Sequence, residues 1–272
     1  SKYIGLYLKR RFMMSINLFQ AILIGLWTAF CFSGMLLGIY TNRCIVLSFG
    51  VGIILGDLPT ALTMGAIGEL AYMGFGVGAG GTVPPNPIGP GIFGTLMAIT
   101  SAGKVTPEAA LALSTPIAVA IQFVQTFAYT VRAGAPETAM KHLKNRDMKK
   151  FKITLNATIW LFAVIGFALG CLGALSMDTL LKLVGYIPPV LLSGLTVAGK
   201  MLPAIGFAMI LSVMAKKELI PFVLLGYVCA AYLKIPTIGI AIVGTIFALI
   251  EFYNKPKTAD HVVEEEAHDD WI

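Results

Sequence analysis

The chain has 272 residues, of which 57% are hydrophobic and only 12% charged, with a formal net charge of +6 and a mean hydropathy of +0.82. An ordinary soluble domain carries about 25% charged residues, so the composition excludes that class. Charge is absent from 12–42, 70–103, 109–131 and 153–177. About 20 apolar residues cross a hydrocarbon core as a helix, and the composition therefore predicts an all-α polytopic membrane protein.

In chain order, the basic start "SKYIGLYLKRRF" precedes Met13 and Met14. It is either an upstream extension or a short amphipathic surface segment, and no small-residue cleavage site of a secretory leader follows it. Apolar segments then run over 16–39, 44–56, 60–76, 107–131, 153–176, 201–215, 219–233 and 236–253, which predicts about eight transmembrane helices. Several are short for a lone lipid-facing span and suit helices packed inside protein.

Two stretches do not read as simple spans and are expected to be re-entrant hairpins: 77–103 and 179–200, the latter with "GYIPPVLLSG". The sequence "GVGAGGTVPPNPIGPGIFGT" (76–95) holds seven glycines and four prolines. Proline removes amide donors and disfavours helix at the residue before it. Irregular backbone survives at membrane depth only where it is buried in protein or lines a wet cavity. The segment is therefore expected to expose carbonyls and the Asn86 amide to a cavity; the alternative is an external loop resting on the bundle.

The loop 132–152 carries seven of the twenty Lys and Arg residues. Cytoplasmic loops carry the Lys/Arg excess, so this loop and both termini are expected inside, which places fifteen of the twenty cations there. Residues 258–272 hold six acids and no Lys or Arg, and read as an acidic disordered tail. The expected organisation is a first membrane repeat over 1–131 with its hairpin at 77–103, the basic loop 132–152, a second membrane repeat over 153–257, and the tail 258–272.

The repeat rests on a shift of 177 residues, which lays "ILGDLPTALTMGAIG" (54–68) on "AYLKIPTIGIAIVGT" (231–245) and Pro59-Thr60 on Pro236-Thr237. The expected topology gives the copies opposite orientations. Inverted repeats are a transporter signature, with the binding site near the midplane.

Glu69 lies in "MGAIGELAYMGFG", and an ionisable group inside a membrane segment is a functional candidate by default. Its alternative is a structural ion pair, with Lys200 as the partner. Carboxylates and amides suit the hydroxyls of a sugar, which makes Glu69, Asn86, Gln122 and Gln20 the candidate substrate contacts. The two glutamines are equally readable as helix–helix glue. Asp57 reads as a helix cap before Pro59. Cys31, Cys44, Cys171 and Cys229 read as small core residues. No catalytic set, metal cluster, cofactor motif or nucleic-acid motif is legible, and any chemistry coupled to transport is expected on another chain.

The stretches "GIILGDLPTALTMGAIGEL", "VPPNPIGPGIFGT", "GLTVAGKMLPAIGFAMIL" and "IPFVLLGYVCAAYLKIP" resemble the IIC membrane component of the mannose/fructose/sorbose-family sugar phosphotransferase systems. The likeness runs from about Met14 to Phe252, and the residues 84–86 with "AGKMLPAIGFA" look most like the N-acetylgalactosamine branch. The resemblance implies an elevator-type sugar permease of the bacterial inner membrane. It would pair with a IID subunit in a trimer of IIC–IID heterodimers, amid membrane lipids. Cytoplasmic IIA and IIB would carry the phosphate, and IIB would phosphorylate the sugar as it emerges. Glu69 matches the Glu of the family's "GGTLE"-type motif, and Asn86 falls where the family has Asn or Asp. Lys200 replaces a glycine of some members. Thr82 and the hairpin glycines would shape the pocket. The rival expectations are an ion-coupled secondary sugar transporter, with Glu69 as proton carrier, and a non-transporting scaffold or receptor.

Overall fold

A computed structural model describes residues 16–73, 85–101, 103–214 and 219–254. Among them every regular element is helical: α1 Leu18–Gly34, α2 Cys44–Leu55, α3 Leu58–Tyr72, α4 Thr95–Thr100, α5 Pro107–Val131, α6 Ala135–Lys144, α7 Met148–Leu175, α8 Met177–Gly185, α9 Pro189–Met214, α10 Ile220–Ala231 and α11 Thr237–Asn254. A π-helical turn, Gly89–Gly94, leads directly into α4. Five stretches are long and apolar enough to cross a membrane: Leu18–Leu37, Pro107–Lys144, Met148–Leu175, Pro189–Ser212 and Thr237–Asn254. The expected start segment, Thr82, Lys216-Lys217 and the acidic tail lie outside the described residues.

The helix boundaries follow local chemistry. Asp57 caps α3, accepting the Thr60 N–H at 3.3 Å, and Pro59 sits in the first turn where its missing donor costs nothing. Thr106 caps α5 in the same way, through the Ala109 N–H at 3.3 Å. Asp147 caps α7 through the Lys150 N–H, and that bond together with the Lys150 ammonium holds its carboxyl below the usual carboxylate range.

The chain divides into two compact units, Ser1–Val213 and Met214–Ile272. In the first, α1 lies along α7. Glycines let these backbones meet: a Cβ on Gly166 would stand 3.0 Å from Ala29 Cα, and the Phe32 and Phe162 rings pack at 5.1 Å. Small residues at such seams are how helices approach closely without a hydrophobic force between them in lipid. In the second unit α10 and α11 form a helical pair, with Phe222 and Phe247 rings 5.8 Å apart.

The centre of the first unit is the continuous helical piece from Ile88 to Ser101, every residue of which is buried. It is enclosed by α2, α3 and α5, with α7 and α8 at its margins. This agrees with the expected placement of the Gly/Pro stretch inside protein, and the described part is helix of π and α type. Pro87 and Pro90 shift the bonding pattern: Gly89 N–H reaches Asn86 O at 3.0 Å and Gly91 N–H reaches Pro87 O at 2.8 Å. The Gly91 carbonyl accepts Ser48 Oγ at 3.2 Å, and Thr95 Oγ1 donates to Ser48 Oγ at 2.8 Å. Hydroxyls of the segment and its neighbours thus share the bonding of a backbone that water cannot reach.

Two stretches hold more continuous helix than the sequence suggests. The second hairpin, 179–200, is α8, a turn through Pro188, and the first half of a continuous α9 that runs from Pro189 to Met214. Pro189 stands at the first helical position, where proline is tolerated, and glycines 194 and 199 are taken into the helix without a break. The basic loop 132–152 is largely helical, consisting of α6 and the first turn of α7.

Gly89 has no room for a side chain, because a Cβ there would lie 2.7 Å from Ala118 Cα, whereas a Cβ on Gly244 would meet nothing within 4 Å. Gly89→Val is therefore expected to cost about 1–3 kcal/mol or more through overpacking, seen as a lower thermal midpoint of the purified protein, while Gly244→Ala, inside α11, leaves the midpoint the same or raises it slightly.

Candidate functional site

Asn86 enters the buried segment, and three bonds hold it. Its N–H reaches Ala118 O on α5 at 3.1 Å, its Oδ1 accepts Ile88 N–H at 3.0 Å, and its Nδ2 donates to Gln125 Oε1. The residue has no exposed surface. The Oδ1 contact is the short-range Asx geometry that starts a turn or helix. So the Asn86 amide, expected to face a cavity, is enclosed and bonded to protein. Its carboxamide couples the mouth of the segment to α5.

The second polar feature lies at the end of the α2–α3 hairpin. Only Gly56 and Asp57 separate these helices, so the last turn of α3 returns beside the first residues of α2. Glu69 in that last turn forms an ion pair with Arg43, the residue before α2, and its Oε2 is 3.5 Å from the Ile45 N–H. A carboxylate is favourable at a helix N-terminus, where amide donors are unpaired and the dipole is positive. The Arg43 side chain is 52% exposed and that of Glu69 21%. The pair is thus half-open, with the guanidinium more exposed than the carboxylate.

The two features adjoin. Cys44, next to Arg43, directs its thiol to Pro87 O at 3.8 Å, and a Cβ on Gly68 would lie 3.3 Å from both Cys44 Cβ and Pro90 Cβ. The Glu69–Arg43 pair therefore stands over the entry of the segment that Asn86 anchors. Asn42, one residue before Arg43, has a buried Oδ1 with no hydrogen-bond partner.

The other candidates separate. Gln122 is half-buried on α5, one turn before Gln125. Gln20 is in the first turn of α1, and its Oε1 accepts the Asn17 N–H at 3.0 Å, a capping contact at a helix end. The expected alternative partner of Glu69, Lys200, is exposed on α9 and is not the ion-pair partner. Asp57 is a cap, as expected. All four cysteines are free, three of them buried, and no metal-binding group of His, Cys, Asp or Glu occurs among the described residues.

Arg43 and Gln125 are the participants missed in the sequence. The signal for Arg43 was its position: it is one of five cations outside the expected cytoplasmic set and lies at the start of a short apolar helix beside the one with Glu69. The signal for Gln125 was the three-residue spacing from Gln122, which puts both amides on neighbouring positions of one helix face.

Asn86→Ala leaves the Gln125 carboxamide buried without its donor, and about 1–3 kcal/mol of destabilisation is expected. A double-mutant cycle with Gln125→Ala, read by denaturation of the purified protein, is expected to give a coupling of about 0.5 kcal/mol or more. Strict additivity would mean that the two amides do not act together.

A sequence model described as the sorbose-specific IIC component of a phosphotransferase system matches residues 18–250. N-acetylgalactosamine permease IIC component 1 of Escherichia coli strain K12 is 35% identical over 185 residues, 66% of this chain and 67% of that protein. A solved structure described only as a membrane protein superposes with a TM-score of 0.79 at 26% identity, over 89% of this chain and 98% of the other. A chain of the mannose transporter ManYZ, in its complex with microcin E492, superposes with a TM-score of 0.55, also at 26% identity, over 90% of this chain and 99% of the other.

Proposed function

The chain belongs to the family of IIC membrane components of mannose-type sugar phosphotransferase systems, and we propose that it is the permease subunit that carries N-acetylgalactosamine, or a close hexose relative, across the bacterial inner membrane for phosphorylation on the far side. The observation that carries the sugar site is the half-open Glu69–Arg43 pair above the buried Asn86 segment. A carboxylate accepts hydroxyl protons and a guanidinium donates to hydroxyl or acetamide oxygens, so the pair offers both halves of sugar recognition. The choice of N-acetylgalactosamine rests on the permease from Escherichia coli and on the residues 84–86 with "AGKMLPAIGFA".

In this reading Glu69 and Arg43 contact the sugar. Gln122 on α5 and Thr82, which lies outside the described residues, keep their expected roles as further sugar contacts. Asn86 acts by fixing the segment against α5. Gln20 is left with its capping role. The length of α2 supports a site at depth: twelve residues span about 18 Å, well short of the ~30 Å hydrocarbon core, so the hairpin cannot place its two ends at opposite surfaces.

The complex would include a IID subunit, as heterodimers in a trimer, with IIB and IIA supplying phosphate from the cytoplasm, where both termini and the basic stretch 132–152 would lie. The ManYZ likeness favours a two-component membrane assembly. An elevator-type movement of inverted repeats is supported by one feature: the hairpins α2–α3 and α10–α11 each pair a helix of 12 residues with a longer one that has Pro-Thr at its start.

Vesicles holding this chain with its IID partner, and phosphorylated IIB inside, are expected to accumulate N-acetylgalactosamine as its phosphate. Glu69→Gln should lower uptake efficiency roughly ten- to a hundredfold, the effect of a charge-assisted hydrogen bond of about 1.5–3 kcal/mol. Accumulation of free sugar, driven by an ion gradient and independent of IIB, would instead identify a secondary transporter with Glu69 as its coupling site.

A further inference from the structure

Between the candidate spans α5 and α7 the chain makes a helical elbow, residues 132–152, whose chemistry the sugar site does not use. α6 packs on α7 through the buried Ala139. Three side chains of the elbow, Met140, Leu143 and Met148, stay 53%, 41% and 50% exposed. Phe127 and Val131 at the end of α5 and Ile153 near the start of α7 are exposed as well.

The cations of the elbow divide into two groups. Lys141 pairs with Glu137 at 2.9 Å and Lys150 with Asp147 at 3.1 Å, while Arg132 bonds to Thr158 Oγ1 and Thr154 O on α7. Lys144, Arg146, Lys149 and Lys152 are exposed, and no acidic side chain within the elbow remains to pair with them. Arg146 stands at φ +57° in the turn between α6 and α7, a left-handed conformation uncommon for a non-glycine residue, and this turn brings the start of α7 back against α6.

The depth of the elbow follows from helix length. α5 has 25 residues and α7 has 28. At about 1.5 Å per residue they measure roughly 37 and 42 Å, longer than the ~30 Å hydrocarbon core. The ends that meet at the elbow therefore reach the headgroup layer. A short helix there, with apolar residues exposed beside unpaired cations, has the composition of an interfacial element. Its apolar side chains enter the acyl boundary and its lysines reach the phosphates.

We propose that the 132–152 elbow is a binding site for anionic phospholipid headgroups, with Lys144, Arg146, Lys149 and Lys152 as the phosphate-facing cations and Met140, Leu143 and Met148 as the apolar anchor. The occupant is the membrane's own lipid. A soluble acidic protein would engage the cations but leave the exposed methionines and leucine in water. The site lies apart from the Glu69–Arg43 pair and holds whichever sugar is carried.

The test uses the full chain, with its membrane partner, in nanodiscs of phosphatidylcholine doped with spin-labelled phosphatidylglycerol or spin-labelled phosphatidylcholine. The motionally restricted fraction of each label gives their relative association. The native protein is expected to prefer phosphatidylglycerol several-fold, and salt should weaken that preference. In the variant K144Q/R146Q/K149Q/K152Q the preference should fall toward one, each cation contributing up to roughly fivefold.

A variant of equal charge loss, K104Q/K182Q/K200Q/K234Q, should keep the preference, and circular dichroism should show native helix in both. Loss of the preference in both variants alike would reduce the effect to net charge and overturn the site. No preference in the native protein would overturn it as well. So would a four-site elbow variant that binds phosphatidylglycerol normally and loses only its hold on soluble IIB.

Discussion

The structure depends on a backbone that has no water to bond with. Residues 88–101 run through the middle of the first unit as a completely buried helix, opened by prolines that cannot donate and glycines that have no side chain to pack. Such a piece is stable only if its neighbours supply the missing partners and accept its close approach. Ser48 from α2 does the first, donating to the Gly91 carbonyl and accepting from Thr95, while Ala118 O and Gln125 from α5 hold Asn86 just ahead of the segment. Gly91 does the second, since a Cβ on it would come 2.7 Å from Leu47 Cβ. The positions of α2, α3 and α5 are therefore tied to one another through the segment as much as by their own contacts.

That arrangement explains why a charge is tolerable where it is. Glu69 would be costly as a lone carboxylate within the spanning part of a helix. Here the short α2–α3 hairpin returns it to the N-terminus of α2, where Arg43 neutralises it and the Ile45 amide faces it. The same hairpin rests on the buried segment through Cys44 and Gly68. A ligand that exchanged hydrogen bonds with Glu69 or Arg43 would thus press on the element whose geometry depends on Asn86. The Glu69–Arg43 pair and the anchorage of the segment share one end of one hairpin.

The charged residues sort by environment. Within the bundle the Glu69–Arg43 ion pair is held between neighbouring helices. Outside it, the elbow leaves four cations unpaired beside apolar side chains, a combination that fits the headgroup layer of a bilayer better than water on all sides. Removing acids from a surface costs little in a soluble protein, but at a membrane face it selects which lipids gather there.

The sequence alone determined the solvent and the all-helical class. Charge-free runs and short apolar segments marked the helices near their observed ends, because lipid punishes unpaired polar groups residue by residue and so leaves a local record. The Gly/Pro stretch 76–95 announced a buried, irregular element for the same reason, as its described part from 86 onward shows, and Asp57 announced a cap. The motifs carried the family. What stayed illegible depended on neighbours far apart in the chain. Only the tertiary structure decided that Asn86 bonds Gln125 rather than a cavity, that Glu69 takes Arg43 and not Lys200, that Gln20 closes a helix end, and that 189–200 continues as helix. Each of those outcomes is a choice among several chemically able partners, and the choice is made by which helix ends are brought together in space.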